Sequence, residues 1–410
     1  MPATAAPGVQ AVIAGGGPAG MMAGYILARA GVRVMVLEKH GDFLRDFRGD
    51  TVHPSTMEAM WELGLLDRFL QCPHDRIEQL SGQVGPDLVH MADLRHLPTH
   101  ARFVALMPQW DFLNFLSREG ARFPEFDVRM RTEATDLIVE GERVVGVRAT
   151  GPEGVMEIRA EVVIAADGRT SALRDKAGLA VHDLGAPMDV LWMRLPRRPG
   201  DEEMPLGRIT AGLVFVAIPR GDYFQCGYVV AKGGYDHIRA QGLAALKASI
   251  AAASPGFADR VDTLRDWDQI KLLSVSVDRL KTWARPGLLC IGDAAHAMSP
   301  IGGVGINLAI QDAVAAANAL AGPLREGTLS FHDLQAVQGV RERPTAQMQA
   351  LQLFIQQRVI GRALKARGGV RAPWPAKLFN ALPWLRRIPA RVIGMGFRME
   401  HVRTPDAHAR

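Results

Sequence analysis

The stretch VQAVIAGGGPAGMMAGYILARAGVRVMVLEK, residues 9–39, decides the fold of this chain. Its first six residues, Val9–Ala14, form an apolar run that predicts a buried parallel strand. A glycine-rich turn follows, then helix-forming residues 21–30, and residues 32–37 predict a second buried strand. The order strand, turn, helix, strand is that of a βαβ unit, so we expect a Rossmann-like α/β domain.

The turn in this unit has the spacing G-x-G-x-x-G at Gly15, Gly17 and Gly20. In this pattern the first glycine permits a tight turn, the second lets the backbone approach a pyrophosphate, and the third lets the helix pack closely on the strand. The helix N-terminus offers free N–H groups to the phosphates, and a carboxylate after the second strand can bind a ribose diol. The unit therefore predicts the binding of an adenine dinucleotide by Gly15, Gly17, Pro18, Ala19, Gly20, Glu38 and Lys39.

The composition is that of a globular enzyme. The chain has 410 residues, of which 48% are hydrophobic and 22% are charged. Residues 1–8 lack the basic start and apolar core of a secretion signal, and we expect no stretch long enough to span a bilayer. Three widely spaced cysteines indicate neither a disulfide framework nor a metal site, which favours a cytoplasmic protein without a metal ion.

The positive charge is concentrated at the C-terminus. Residues 358–410 contain 12 Lys/Arg and only two acidic residues, whereas the whole chain has a net charge of +5. No basic stretch is interleaved with aromatic residues in the manner of a nucleic-acid module, so we expect no nucleic-acid partner. Two interpretations stay open for this tail: a solvated, charge-rich cap, or peripheral contact with a membrane or another anionic surface.

Two later segments repeat the design of a buried strand followed by a turn and a helix start. Residues 161–166 lead into Asp167-Gly168, and residues 288–291 lead into Gly292-Asp293. The carboxyl ends of parallel strands line one crevice of a doubly wound sheet. We therefore expect these turns to meet the first glycine turn along a single extended cofactor.

The middle of the chain changes to strands without intervening helices. Residues 184–233 predict an antiparallel sheet, in which residues 209–218 form one strand. The apolar side chains of this sheet favour a lipophilic aromatic substrate, and its candidate contacts are Trp192, Met193, Phe215, Phe224 and Tyr228.

Two local patterns concern helices. Ser55 and Glu58 have the spacing of a capping box, which predicts a helix over residues 55–63 with Ser55 as its N-cap. Residues 329–361 predict a helical region that is interrupted near Pro344.

Taken together, GGGPAG at residues 15–20, Asp167-Gly168 and CIGDAAHAMSPIGGVGINLAIQDA at residues 290–313 carry a resemblance to a known family. Over nearly its whole length the chain resembles the FAD-dependent aromatic hydroxylases, the single-component flavoprotein monooxygenases related to p-hydroxybenzoate hydroxylase. The resemblance implies an α/β fold: a Rossmann-like FAD-binding domain with a parallel sheet, an α+β substrate domain with an antiparallel sheet, and C-terminal helices. The implied boundaries are 1–183 and 268–325 for the FAD-binding domain, 184–267 for the substrate domain with a contribution from 77–107, and 326–410 for the helical region.

The resemblance also implies roles for individual residues. Arg48 and Gln109 would contact the phosphates and the ribityl chain, and Asp293 would hold a ribityl or phosphate oxygen. Asp167-Gly168 would serve both FAD and the nicotinamide cofactor, and Pro300 would lie beside the substrate. The loop that would face the flavin ring contains Gly302, Gly303, Gly305, Ile306 and Asn307.

The implied reaction uses NAD(P)H to reduce FAD and O2 to form a flavin C4a-hydroperoxide, which hydroxylates an aromatic or polycyclic small molecule. His53 and His296 are candidates for a base near the substrate, and each could instead be a structural histidine. Alternatives within the fold are a flavin-dependent reductase or a halogenase, although the halogenase pattern Trp-x-Trp-x-x-Ile is absent. A further alternative is a flavoprotein docked to a membrane or complex. The sequence does not distinguish a monomer from a homodimer.

Overall fold

The computed structural model describes residues 9–44, 51–201 and 206–409. Within these ranges the α-helices are α1 (Pro18–Arg29), α2 (Pro54–Glu62), α3 (Leu66–Phe69), α4 (Gln109–Gly120), α5 (Ala172–Lys176), α6 (Tyr235–Gln241), α7 (Leu243–Ala253), α8 (Gly305–Glu326), α9 (Phe331–Ile355), α10 (Gly361–Lys365), α11 (Trp374–Ala381) and α12 (Arg387–Met395).

The strands of the same ranges form four sheets. In chain order they are β1 (Val9–Ala14), β2 (Val34–Leu37), β3 (Thr51–Val52), β4 (Asp75–Ile77), β5 (Gln79–Val84), β6 (Asp87–Asp93), β7 (Val104–Leu106), β8 (Phe126–Arg129), β9 (Glu133–Glu140), β10 (Arg143–Gly151), β11 (Gly154–Ala165), β12 (Val181–Asp183), β13 (Met188–Pro196), β14 (Gly207–Thr210), β15 (Leu213–Arg220), β16 (Tyr223–Ala231), β17 (Lys271–Leu273), β18 (Asp278–Leu280), β19 (Ala284–Arg285), β20 (Leu288–Cys290) and β21 (His296–Ala297).

The largest sheet has eight strands and contains the predicted parallel core. Its main path runs β19-β20-β11-β1-β2-β8, and every neighbouring pair from β20 to β8 is parallel. The apolar strands β1, β2 and β20 are buried almost throughout, as parallel strands covered on both faces must be. Helices α1 and α8 share one hydrophobic core with these strands. The predicted α/β class with a Rossmann-like parallel sheet is confirmed.

A second sheet of seven strands has the order β17-β13-β16-β15-β14-β5-β6. It is antiparallel except between β14 and β5, which run parallel with Gly207 opposite Gly82. Helix α7 packs on one face of this sheet, because Leu246 and Ile250 share a core with Phe215 and Tyr228. The strands β5 and β6 thus join the sheet of residues 188–231. The domain boundaries themselves stay a prediction.

One long apolar helix lies in the core. The segment Ile301–Glu326 has the length and composition of a membrane span, with a mean hydropathy of 1.3 over its best 18-residue window. The expectation that no stretch is long enough to span a bilayer is therefore wrong for length and composition. However, 83% of that window is buried inside the protein, so the apolar composition reflects packing on the sheet.

Three local predictions were wrong. The Ser55 side chain does not cap α2, which begins one residue earlier at Pro54, and Glu58 instead accepts hydrogen bonds from His100. Residues 209–218 form two strands, because the chain turns at Gly212, whose φ is +78°. Helix α9 continues through Pro344 and is not interrupted there.

Candidate functional site

The three predicted turns lie side by side at one edge of the eight-stranded sheet. Backbone hydrogen bonds join them directly: Ala166 N–H donates to Ala14 O at 2.8 Å, and Ile291 N–H donates to Ala165 O at 3.0 Å. Gly15 N–H donates to Leu37 O at 2.8 Å, which adds the end of β2 to the same edge. The parallel strand order therefore produces one crevice from segments that are far apart in the sequence.

The three glycines of the first turn have different surroundings. Gly15 has a φ of +105°, and a Cβ placed there would lie 2.3 Å from Ala166 O. A Cβ at Gly20 would lie 2.0 Å from Gly15 O, so this glycine allows α1 to pack against the turn. A Cβ at Gly17 would meet nothing within 4 Å. Gly15 and Gly20 are thus required by the protein itself, whereas Gly17 borders open space at the N-terminus of α1.

The first turn of α1 is available to an anion. Helix α1 begins at Pro18, its N-cap is Gly17, and no side chain caps its free N–H groups. Uncapped N–H groups and the positive end of the helix dipole attract phosphate. Gly292 lies between this helix and α8, since a Cβ there would be 3.0 Å from Ala19 Cβ and 3.2 Å from Ala309 Cβ. The N-terminal turns of α1 and α8 therefore face the same crevice edge.

The acidic residue after β2 is buried beside the glycine turn. Glu38 accepts hydrogen bonds from Gly16 N–H at 3.1 Å and His40 N–H at 2.9 Å. These bonds fix the carboxylate at the end of β2. Lys39 is placed differently, because its ammonium lies on the surface, 3.8 Å from Glu133.

Asp167 has one oxygen without a partner among the described residues. Its Oδ2 accepts a hydrogen bond from Leu173 N–H at 3.3 Å, whereas its Oδ1 is buried and unpaired. Burial raises the pKa of this carboxyl. A buried unpaired acceptor calls for a donor from outside the protein, such as a hydroxyl of a bound cofactor. Gly168 follows with a φ of +91° and open space at its Cβ position.

Asp293 lies at the end of β20 in the same crevice. Its carboxylate is half-buried and makes an ion pair with Arg169 Nε at 3.0 Å. Arg169 was not among the predicted site residues, although it directly follows Asp167-Gly168. The pair links two of the three turns and leaves the Asp293 carboxylate accessible.

The loop before α8 is bent by two glycines. After Pro300, Gly302 has a φ of +77° and Gly303 a φ of +63°. A Cβ at Gly303 would lie 2.3 Å from Thr51 Oγ1, and Thr51 Oγ1 donates to Gly303 O at 2.8 Å. Helix α8 then begins at Gly305 without a side-chain cap or an acidic residue in its first turn. The N–H groups of this turn, which includes Ile306, can therefore face a negative charge.

The buried side chain of Asn307 is fully used within the protein. Its Oδ1 accepts hydrogen bonds from His53 N–H and Thr56 Oγ1, both at 2.8 Å. Its Nδ2 donates to Thr51 O at 3.2 Å and to Gly303 O at 3.3 Å. The amide thus ties the loop before α8 to the segment that leads into α2. The predicted contact between Asn307 and the cofactor stays a prediction.

His53 is buried at the start of α2. Its ring Nδ1 hydrogen-bonds Ile393 O at 2.7 Å, which connects the site to α12. Burial lowers the pKa of His53 to about 4, and the bond to Ile393 opposes this shift only in part. His53 is therefore neutral near pH 7.

This lowered pKa predicts a loss of stability in acid. In the unfolded chain His53 binds a proton below about pH 6.5, whereas in the folded chain it binds one only below about pH 4. The free energy of unfolding should fall by about 3 kcal/mol between these pH values. His53→Asn keeps a donor for Ile393 O and does not titrate, so urea denaturation at pH 7 and pH 5 should show a smaller pH effect in this variant. His182→Asn, at an exposed histidine, should retain the wild-type pH effect. An equal change in the free energy of unfolding between pH 7 and pH 5 in all three proteins would contradict the prediction.

His296 belongs to a buried charge network behind the crevice. Its Nε2 lies 2.6 Å from Asp312 Oδ2, and that oxygen also accepts Gly292 N–H at 3.0 Å. Arg341 Nε donates to Asp312 Oδ1 at 2.9 Å, and both residues are completely buried. Burial alone would raise the pKa of Asp312, but the charges and hydrogen bonds of His296 and Arg341 outweigh it and lower that pKa. The network holds the turn that carries Asp293.

Three buried glutamines of the α9 region support the loop that contains Pro300. Gln349 Nε2 donates to Asp278 O and Ala297 O at 2.7 and 3.1 Å. Gln352 donates to Ser299 O and Ile301 O at 3.0 and 2.8 Å and accepts Ser299 N–H at 3.1 Å. Gln356 donates to Ser299 Oγ at 2.5 Å. This ladder was not predicted from the sequence, although the spacing i, i+3, i+7 places the three amides on one helix face.

Removing the central amide should loosen the loop. Gln352→Met leaves the three backbone groups of Ser299 and Ile301 without their partner, so the free energy of unfolding should fall by about 2–3 kcal/mol. The Ser299 amide should also exchange its hydrogen faster. Gln357→Met, at the neighbouring exposed position, should change stability by less than about 0.5 kcal/mol. Equal stability of the two variants in urea would contradict the assigned role.

The predicted substrate contacts divide between the two faces of the seven-stranded sheet. Four of the five residues share the core under α7, away from the crevice loop: Met193, Phe215, Phe224 and Tyr228. Trp192 lies on the opposite face, in a cluster to which Ile301 packs. Its indole Nε1 is buried and has no partner among the described residues. The two-residue period of a strand separates Trp192 from Met193 and could have indicated this split.

Two further residues, Gln109 and Arg48, were predicted to bind the cofactor. Gln109 is the first residue of α4 and is half-buried. Arg48 lies outside the described residues. In the described ranges, no group of three or more His, Cys, Asp or Glu side chains is arranged to hold a metal ion.

Comparison with known proteins identifies the class. A family model described as "FAD binding domain" matches residues 8–341. The 6-methylpretetramide 4-monooxygenase of Streptomyces rimosus is 34% identical over 387 residues, which cover 93% of this chain and 91% of that protein. The solved structure of p-nitrophenol 4-monooxygenase from Pseudomonas putida DLL-E4 superposes with a TM-score of 0.78 at 20% identity, covering 95% and 99% of the two chains.

The fold alone is shared more widely. A myxobacterial chondrochloren halogenase superposes with a TM-score of 0.74 at 21% identity, covering 97% of this chain and 95% of that one. The open space at Gly17, the unpaired Asp167 oxygen and the two uncapped helix starts fit FAD. This chain belongs to the FAD-binding-domain family of aromatic monooxygenases, related to p-hydroxybenzoate hydroxylase. It is an FAD-dependent monooxygenase.

Proposed function

We propose that this chain uses NAD(P)H and O2 to hydroxylate a polycyclic aromatic compound. The observation that carries the proposal is the meeting of two uncapped helix N-termini at one sheet edge, joined through Gly292. The N-terminus of α1 suits a diphosphate, and that of α8 suits the negative charge that a reduced flavin carries. Bound FAD would supply the redox chemistry of the reaction, namely hydride acceptance from NAD(P)H and activation of O2.

The residues of the chain bind and orient the reactants. Glu38 would accept hydrogen bonds from the adenosine ribose, and the free Asp167 oxygen would accept one from a cofactor hydroxyl. The glutamine ladder would hold the backbone around Pro300 in place beside the substrate. His53 and His296 act as structural groups in this proposal, because the ring nitrogens that have partners bind Ile393 O and Asp312.

The substrate class is inferred from the relative and from the apolar face of the seven-stranded sheet. The name of the 34% identical relative gives 6-methylpretetramide, a polycyclic compound, as its substrate. On the sheet face near Ile301, the buried side chains of Val190, Trp192 and Val214 form an apolar cluster, against which an aromatic substrate held beside the Pro300 loop would pack. The unpaired indole N–H of Trp192 could donate to a carbonyl or phenolic oxygen of such a molecule.

The experiment is an anaerobic and aerobic assay of the FAD-loaded protein. A panel of polycyclic and single-ring phenols is screened for faster NADH- or NADPH-driven bleaching of the flavin. Aerobic reactions with ¹⁸O2 are then analysed by mass spectrometry, and a gain of one labelled oxygen is expected. A chlorinated product in the presence of chloride would indicate the halogenase alternative, and a reduced product without O2 consumption would indicate the reductase.

A substitution of Trp192 tests the proposed substrate contact. Trp192→Phe keeps an aromatic ring and removes the N–H donor, so it should raise KM for an oxygen-bearing polycyclic substrate by about 5- to 15-fold. Met193→Leu, on the opposite face, should leave KM unchanged. If both variants behave like the wild type, Trp192 does not contact the substrate.

A further inference from the structure

The C-terminal segment exposes an unusual amount of apolar surface. Of the 16 large hydrophobic side chains that are exposed in the described chain, eight lie between Phe354 and Phe397. Trp374 is 74% exposed, and Trp384 and Ile388 are each 59% exposed. This concentration in about a tenth of the chain marks an interaction surface.

The same segment is free of negative charge. Residues 343–399 contain 11 Lys/Arg and no Asp or Glu. Lys377 pairs with Asp87 on β6, but no carboxylate of the described chain lies within 4.0 Å of Arg371, Arg387 or Arg391. The exposed apolar side chains are therefore interleaved with unpaired guanidinium groups.

The segment is held firmly on the body of the protein. The Asn380 amide bonds both Leu88 O and His90 N–H of β6, the edge strand of the seven-stranded sheet. On the inner side of α12, Ala390 is completely buried, and a Cβ at Gly394 would lie 2.5 Å from Leu97 Cδ1. Ala390, Gly394 and the partly buried Ile393 thus face the protein. Trp384, Ile388, Arg387 and Arg391 are exposed.

We propose that this outer side, the tail face, docks the protein peripherally on an anionic lipid membrane. The tail face consists of Trp374, Leu378, Leu382, Trp384, Ile388, Arg371, Arg387 and Arg391. Tryptophan rings favour the headgroup region of a bilayer, and short amphipathic helices insert aliphatic side chains just below it. Each basic residue near an anionic surface adds attraction that salt screens.

The composition of the tail face argues against other occupants. In a two-fold dimer the same patch meets itself, so Arg387 and Arg391 would face arginines of the second copy without any acid between them. Nucleic acid offers phosphates to the arginines, but its backbone gives Leu378, Leu382 and Ile388 no apolar partner. A lipid headgroup layer over acyl chains satisfies both kinds of side chain.

The test is vesicle flotation of the full-length protein. Vesicles of phosphatidylcholine alone are compared with vesicles that contain one quarter phosphatidylglycerol. Wild-type protein should float with the anionic vesicles and be released by 0.5 M NaCl. Arg387→Gln with Arg391→Gln should lower the partition coefficient about 30-fold, and Trp384→Ser with Ile388→Ser about 10-fold or more. The matched control, Arg239→Gln with Arg265→Gln, removes two exposed charges elsewhere and should bind like the wild type.

Each other outcome overturns the proposal. Failure of the wild type to float with anionic vesicles would overturn it. An equal loss of vesicle binding in the control variant would also overturn it. Sedimentation velocity that shows a dimer dissociated by the Trp384 and Ile388 changes would assign the tail face to a second copy. If an oligonucleotide binds the protein as tightly as the vesicles do and displaces it from them, the tail face would be assigned to nucleic acid. Flotation does not depend on turnover, so the result is independent of the proposed hydroxylation.

Discussion

Gly17→Ala should lower the affinity for FAD about 100-fold, or roughly 3 kcal/mol, without unfolding the protein. The new methyl group meets no protein atom within 4 Å, and Gly17 already has a φ of −75° that any residue adopts. The apoprotein should therefore keep its free energy of unfolding within about 0.5 kcal/mol. The methyl group would occupy the space at the start of α1 into which the diphosphate must come.

The affinity is measured by titrating apoprotein with FAD and following the quenching of flavin fluorescence. Gly20→Ala is the matched comparison, since its Cβ would lie 2.0 Å from Gly15 O. That variant should lose stability as well as FAD binding, because the clash is with backbone inside the protein. Wild-type FAD affinity in Gly17→Ala would show that the diphosphate binds elsewhere.

Asp312→Asn should destabilise the protein by about 3–5 kcal/mol, because it leaves the buried guanidinium of Arg341 without its nearest charge partner. Glu400 lies 3.9 Å from Arg341 Nη1 and replaces that partner only in part. The introduced amide has one acceptor oxygen, whereas the carboxylate has two. Arg341, His296 and Gly292 N–H would therefore compete for that oxygen. The turn that carries Asp293 should therefore loosen, and FAD affinity should fall together with stability.

Urea denaturation of the apoprotein at pH 7 measures this loss. The double variant Asp312→Asn with Arg341→Met removes both charges and should recover part of the stability, since an apolar side chain needs no buried partner. Asp293→Asn is the control at the crevice surface, where the half-exposed pair with Arg169 contributes less than about 1 kcal/mol to stability. A loss of less than about 1 kcal/mol in Asp312→Asn would contradict the assigned role of the network.

Local sequence patterns predicted the fold of the FAD-binding part well. Buried parallel strands have continuous apolar runs, and glycines at fixed spacing are required where backbone meets backbone, as at Gly15 and Gly20. These constraints act within a few residues, so they can be read directly from Val9–Ala14 and the turn after it. The shared design of the turns at Asp167 and Gly292 likewise predicted their meeting, because parallel strands place such turns at one edge.

Patterns that depend on distant partners were misread. Ser55 and Glu58 have the spacing of a capping box, yet His100 takes the Glu58 carboxylate from 42 residues away. Pro344 does not interrupt α9, because the buried packing of that helix outweighs the lost backbone hydrogen bond. The five apolar candidates of the middle sheet were grouped together, although the strand period and the packing of α7 place four of them on the far face.

The sequence by itself determined the α/β class, the FAD-binding family and the meeting of the glycine and aspartate turns at one sheet edge, because these depend on local backbone geometry. Only the tertiary structure decided that His53, His296 and Asn307 bind protein groups, that glutamines of the α9 region support the Pro300 loop, and that the basic tail turns its tryptophans outward. Those roles depend on which groups lie within 3 Å after residues hundreds of positions apart are packed together, and no local pattern records that distance.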